Sequence, residues 1–157
     1  MWADPAVTPF IGGGKPSTRE ESWARLLRYG GLWPLLGFGY WVIEEKATGR
    51  FAGEAGFADF KRAVEPSFGD APEAGWALAS WAHGKGYATE AVQAAVAWAD
   101  ANLSAPRTVC MISPENAASI GVANKCGYRE FAQATFRENP TILYERRRAV
   151  SPAPANR

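Results

Sequence analysis

Two short runs carry residue types that could do chemistry. The first is Gly84-Lys85-Gly86, set between an apolar run over residues 75–78 and a helical pattern. Ala88, Ala91, Val92, Ala95, Trp98 and Ala99 recur there at three- and four-residue spacing, which puts them on one helix face. The order strand, glycine loop, helix start suits an anion. The first turn of a helix has backbone N–H groups without partners and a partial positive charge, and glycine lets a phosphate come close to them. The same loop also reads as an ordinary helix entry with glycine at the turn. The second run is Asn116-Ala117-Ala118-Ser119, followed by Lys125-Cys126-Gly127-Tyr128. Asn116 suits an N-cap, Ser119 either lines a site or fills a helix position, and Gly127 suits a left-handed C-cap. Around these stand two strand carboxylates, Glu54 and Glu73, and the one histidine, His83.

The glycine loop fails two common nucleotide patterns. A P-loop needs Ser or Thr directly after Gly-Lys, and Gly86 stands there. The dinucleotide pattern needs a third glycine where Thr89 stands, and no acidic residue ends a following strand at the right distance. The run instead resembles the acetyl-coenzyme A loop of the GNAT acetyltransferase superfamily, whose pattern is Gln/Arg-x-x-Gly-x-Gly/Ala. Gly84 and Gly86 fill its two small positions, and Trp81 stands in place of Gln/Arg. Gly86-Tyr87-Ala88-Thr89-Glu90-Ala91 is similar to the branch containing the ribosomal-protein N-terminal acetyltransferases RimJ and RimL. The asparagine-led run, about thirty residues after the loop, resembles the family's second hallmark. The resemblance spans residues 10–146.

It implies an α/β (mixed α+β) fold: a central mixed, mostly antiparallel sheet with a splayed parallel strand pair, and helices on both faces. It implies acetyl-CoA as co-substrate and direct attack by a primary amine, an N-terminal peptide amine or a small molecule, in a ternary complex. Free backbone donors at Trp76, Ala77 and Leu78 would hold the acetyl and pantetheine amides. Gly84, Lys85, Gly86 and Tyr87 would hold the pyrophosphate, with His83, Ala88 and Thr89 beside them. Asn116 would contact the pantetheine arm or hold the splay, and Ser119 would sit near the thiol. Many members place a tyrosine seven positions after the asparagine; that position is Ala123 here, so Ser119 is expected to donate to the leaving sulfur. Glu73 faces the same side as Gly75 and Ala77 by strand alternation and is the expected base, with Glu54 its rival. A non-catalytic acyl-CoA-binding or regulatory module on the same fold is the competing reading, motivated by Ala123, by Trp81 and by the absence of the usual first strand. The family usually opens with a strand ahead of its first helix, and none is read here. The sheet is then expected to begin at Tyr40 with an exposed edge. A homodimer or a misplaced start codon would account for it.

The elements that must position these residues are read as follows. Ser17-Thr18-Arg19-Glu20 is a capping box, Trp23, Leu26 and Leu27 form the apolar face of the helix after it, and Gly30-Gly31 ends it. Strands over 40–44 and 51–57 make a hairpin about the turn at 46–49. Residues 58–72 form a long aperiodic loop, expected to line the acceptor side and to be more mobile than the sheet. A strand at 75–79, the helix after Gly86 and a strand at 108–113 form a crossover, so those two strands should be parallel. A short helix led by Asn116 and a hairpin of 131–136 with 142–146 close the chain, and Arg146 to Arg148 read as a solvated tail.

The 157 residues suit one domain, expected over 1–148, with a disordered tail over 149–157. A net charge of +1 gives no push toward nucleic acid or an anionic membrane. No apolar run is long enough to span a bilayer, and no signal peptide is read. Cys110 and Cys126 lack metal-site spacing. A cytoplasmic protein with free thiols and no metal is expected.

Overall fold

A computed structural model describes residues 1–11 and 13–148. The tail expected over 149–157 lies outside the described residues. The elements run α1 (Arg19–Leu36), β1 (Tyr40–Glu44), β2 (Phe51–Ala58), β3 (Glu73–Leu78), α2 (Tyr87–Asn102), β4 (Arg107–Ile112), α3 (Ala117–Lys125), β5 (Arg129–Phe136) and β6 (Asn139–Arg147). One six-stranded sheet has the order β1-β2-β3-β4-β6-β5. Every neighbouring pair is antiparallel except β3 and β4. The expected mixed sheet with one parallel pair is therefore present.

Strand alternation sorts the two faces. Ala55, Phe57, Ala74, Cys110, Ile112 and Tyr144 point to the face covered by Val92, Ala95, Val96 and Ala99 of α2 and by Ala123 of α3. That is the main core. The other face carries Tyr40, Glu54, Gly56, Glu73, Gly75 and Ala77, which follows from the cross-strand rows Tyr40–Gly56–Gly75 and Glu54–Ala77. Tyr29 of α1 stacks on Tyr40 there, with ring centroids 4.4 Å apart. Further along α1, Trp33 meets Trp41 of β1 and Trp98 of α2 edge-on, so three aromatic rings tie three elements together.

Four expectations need correction. The N-cap of α1 is Thr18, not Ser17: its side chain accepts from Glu21 N, and Glu21 Oε2 accepts from Thr18 N. Gly30-Gly31 does not end α1. The helix runs through both, and through Pro34, until Gly37 adopts the left-handed conformation that closes it. Trp23, Leu26 and Leu27 are exposed, because the helix buries Leu32 and lays Tyr29 and Trp33 on the sheet instead. Arg146 is not part of a solvated tail. It lies on β6 and grips Asp100 of α2 with two nitrogens, at 2.8 and 2.6 Å.

The loop at 58–72 is anchored. Val64 and Phe68 are buried against Val109 of β4 and Leu143 of β6, on the sheet face opposite α2. Arg62 reaches back to Glu73 at the start of β3. Burial of two apolar side chains and an ion pair argues against the mobility expected of an aperiodic segment.

Candidate functional site

The parallel pair holds the opening that the fold provides. β3 and β4 meet at a single rung, Glu73 opposite Val109, with Val109 N donating to Pro72 O at 3.0 Å. Beyond that rung the strands are unpaired. Which backbone groups face the gap follows from the ladder. Ala79 N donates to Ala52 O, so the hydrogen-bonded pairs of β2 and β3 are Ala52–Ala79 and, two residues on each time, Glu54–Ala77 and Gly56–Gly75. The N–H groups of Gly75 and Ala77 are therefore used inside the sheet. Those of Trp76 and Leu78 point at β4 across the gap. Of the three expected free donors, Trp76 and Leu78 fit, and Ala77 does not. On the facing strand the same alternation from Val109 turns the backbone of Met111 into the gap, a contributor that sequence reasoning missed.

The gap widens toward the carboxyl ends of both strands, and the two sequence runs meet at that end. After β3 a single 3-10 turn, Ser80–Ala82, leads into the glycine loop. Gly84 has φ +72 and Gly86 has φ +84, both in the left-handed region that glycine enters without strain. A Cβ at either would meet nothing within 4 Å, so these positions border open space. Gly86 caps α2 with no side-chain partner, and the first intrahelical bond is Glu90 N to Gly86 O. The N–H groups of Tyr87, Ala88 and Thr89 are left pointing out of the helix start. This cradle of bare backbone donors at a positive helix end fits a pyrophosphate.

Side chains dress the cradle. Trp81 donates from Nε1 to Phe51 O, and its ring has Arg50 over it at 4.1 Å and Lys85 Nζ at 4.8 Å. Two cations are thus held beside the loop where the resemblance had one Gln or Arg. Arg50 lies in the β1–β2 turn, far away in sequence, and no local pattern marks it. Tyr87 donates to Glu45 Oε1. That bond is the main cause holding the Glu45 carboxyl below its ordinary range and raising the Tyr87 phenol. His83 is exposed, with Nε2 3.0 Å from Leu78 O, so its imidazole braces the turn.

At the end of β4, Asn116 caps α3 by accepting from Ser119 N at 3.1 Å. Ser119 is half-buried in the first turn of α3. Gly127 takes φ +87 and ends that helix region as expected. Ala123 is fully buried in the core.

The two carboxylates differ sharply. Glu73 stands at the closed end of the gap, one strand length from the glycine loop, about 17 Å for a strand of this size. Both its oxygens accept from Arg62 Nε, at 2.9 and 2.7 Å. Glu54 stands beside Ala77, near the open end. Its Oε1 accepts from Trp2 Nε1 at 3.0 Å and from the Tyr29 hydroxyl at 2.9 Å, while Oε2 has no partner among the described residues. Burial raises the Glu54 carboxyl above its ordinary value, against the two hydrogen bonds. Glu73 and Ser119 are thus set at opposite ends of the parallel pair, and Glu54 is the carboxylate nearer the open end.

The family model for the acetyltransferase (GNAT) domain matches residues 1–129. A Bordetella pertussis protein assigned to the GnaT-family acetyltransferases superposes with a TM-score of 0.78 at 33% identity, over 86% of this chain and 81% of that one. YncA of Salmonella typhimurium, solved with its cofactor acetyl-CoA, is 23% identical with a TM-score of 0.70, over 92% of this chain and 82% of that one. YkkB of Bacillus subtilis (strain 168), itself uncharacterized, is 27% identical over 147 residues, 94% of this chain and 82% of the relative. With more than half of its length matched and the parallel pair β3–β4 opening above a glycine loop, the chain belongs to the GNAT acetyltransferase family.

Proposed function

We propose that the protein transfers an acetyl group from acetyl-CoA to a primary amine by direct attack in a ternary complex. The observation that carries this is the gap between β3 and β4, which leaves the Trp76 and Leu78 N–H groups unpaired at the end where the glycine loop begins α2. Those N–H groups suit the acetyl oxygen and the pantetheine amides. The N–H groups from Gly84 to Thr89, with Lys85 and Arg50, suit the pyrophosphate. The amine nitrogen attacks the thioester carbon, a C–N bond forms and the C–S bond breaks. A donor near the carbonyl oxygen carries the charge that develops there. Glu54 takes a proton from the amine, because it is the carboxylate with a free oxygen near the open end. Glu73, held by Arg62, positions the start of β3. Ser119 donates a hydrogen bond to the departing sulfur.

The residues 86–91 support a place in the RimJ/RimL-like branch and so a peptide N-terminus among the acceptors. The exposed stripe of Trp23, Leu26, Leu27 and Leu35 on α1, beside the edge strand β1 with its exposed Val42, supports a homodimer. A cytoplasmic location is in keeping with two free, buried cysteines, Cys110 and Cys126; among the described residues no helix is long and apolar enough to cross a membrane.

One observation favours a second reading. Ala123 cannot supply the proton donor that many members have at that position, and a non-catalytic acyl-CoA-binding module would need none. Release of free CoA from acetyl-CoA, followed across a panel of peptide, polyamine and aminoglycoside amines, separates the two. Amine-dependent release supports transfer. Tight acetyl-CoA binding with no release by any amine supports the binding module.

A further inference from the structure

On the sheet face away from α2, one cross-strand row has no side chain on two of its three positions. Tyr40 of β1 lies opposite Gly56 of β2, which lies opposite Gly75 of β3. A Cβ at Gly56 would collide with the Tyr40 Cα, and one at Gly75 would collide with the Tyr40 hydroxyl. The Tyr40 ring therefore reaches across β2, and its oxygen ends directly over the β3 backbone. Tyr29 stacks on the ring, with planes 12° apart, and fixes its tilt. The neighbouring rows place Glu54 on one side of this oxygen and Glu73 on the other.

The Tyr40 oxygen has no hydrogen-bond partner among the described residues. No buried side-chain oxygen among them is left without one, so this oxygen must touch solvent. Burial, and then the Glu73 and Glu54 charges, raise the phenol, which keeps its proton throughout the working range. A neutral hydroxyl with unused capacity, aimed at the β3 edge of the gap and flanked by a carboxylate with a free oxygen, is built to receive a small polar group.

We infer that this group is the acceptor amine: its nitrogen docks against Tyr40 Oη and Glu54 Oε2, which makes Tyr40 a catalytic residue for the acceptor half of the reaction. The inference rests on the acetyltransferase reading above. An arriving ammonium gives one proton to the Glu54 carboxylate, which becomes the carboxylic acid. The resulting neutral amine donates an N–H to Tyr40 Oη, and its lone pair is free for the thioester carbon. The tyrosine holds the nitrogen and takes no proton itself. The acceptor class that fits is an unhindered primary amine, which after deprotonation has two N–H groups: one stays on Tyr40 Oη, and the other proton passes to the departing CoA thiolate as the amide forms.

Two variants test this. Tyr40→Phe keeps the ring and its stack on Tyr29 and removes only the oxygen. It is expected to raise KM for the amine about tenfold, the effect of one lost hydrogen bond to a polar ligand, with acetyl-CoA affinity and melting temperature unchanged. Gly75→Ala, which drives a methyl into the Tyr40 oxygen, is expected to lower the melting temperature and the amine activity together. Combined with Tyr40→Phe, whose ring carbon would stand 3.2 Å from the new methyl, it is expected to regain the melting temperature while the amine KM stays high. Turnover by wild type with an unchanged amine KM in Tyr40→Phe overturns the docking inference alone. A Gly75→Ala defect that Tyr40→Phe leaves untouched overturns the geometry behind it. Absence of turnover with every amine overturns the acetyltransferase reading, and this inference falls with it.

Discussion

Gly84 and Gly86 do their work through backbone conformation. Neither position is crowded, so the cost of a side chain there is the left-handed strain, roughly 1–2 kcal/mol, plus a Cβ in the space a phosphate would fill. Gly86→Ala is expected to weaken acetyl-CoA binding at least tenfold by calorimetry while the fold survives; unchanged affinity would remove the loop from the site. Glu54 makes a pH prediction. Its folded carboxyl is raised above 4.5, so ionised base is lost as pH falls through a value above that. The acid limb of kcat/KM is expected to lie above pH 4.5 and to disappear in Glu54→Gln, with Glu73→Gln leaving it in place. The same shift favours folding below pH 4.5 and loses that contribution as pH rises through the folded value. Glu54→Gln, which can still accept from Trp2 and Tyr29, should therefore melt no lower than wild type at pH 7; a large loss would mean the charge itself is structural. These residues differ in how readable they were. The glycine loop and Asn116 are contiguous patterns with local physics, so the left-handed turns and the helix cap they form are legible in the sequence. Glu54 over Glu73, Tyr40 and Arg50 depend on which strand lies beside which and in what register. Ala77 was misjudged because a ladder turns only every second N–H toward one neighbour.

At the scale of elements, α1 shows where local reading stops. Gly30-Gly31 looked like a terminus because paired glycines are poor helix formers, yet contacts at Tyr29, Leu32 and Trp33 hold the helix through them. Strands and the crossover are legible from apolar runs and turn residues; the burial of 58–72 is not, since Val64, Phe68 and the Arg62–Glu73 ion pair are scattered without period through a polar stretch. The cap is the part of α1 that local chemistry decides. Thr18→Ala is expected to cost about 1 kcal/mol, or some 2–4 °C in melting temperature for a chain of this size, and Ser17→Ala distinctly less. Equal losses would return the cap to Ser17. Arg146 and Asp100 join β6 to the last turns of α2 by a partly buried, two-pronged ion pair. Losing either partner should loosen the end of α2, seen as lower melting with acetyl-CoA affinity retained, because the glycine loop lies at the other end of that helix.

Taken whole, the sheet is two three-stranded halves, β1-β2-β3 and β4-β6-β5, sharing one rung. A co-substrate whose amides bind both sides of the gap would supply rungs that the chain lacks. Acetyl-CoA at one hundred times its Kd is expected to add about 2.7 kcal/mol of stability by mass action, and a melting temperature indifferent to saturating acetyl-CoA would contradict binding there. The single rung also bears on how the molecule breathes. Amide hydrogen exchange should find a seam: two cooperative units opening independently in the free protein, with Trp76, Leu78 and Met111 exchanging early. With ligand in place the seam should close and both halves should exchange as one. The reactant would then be, for the length of each turnover, a structural member of the protein that transforms it, and release of CoA would be the moment at which the two halves regain separate lives.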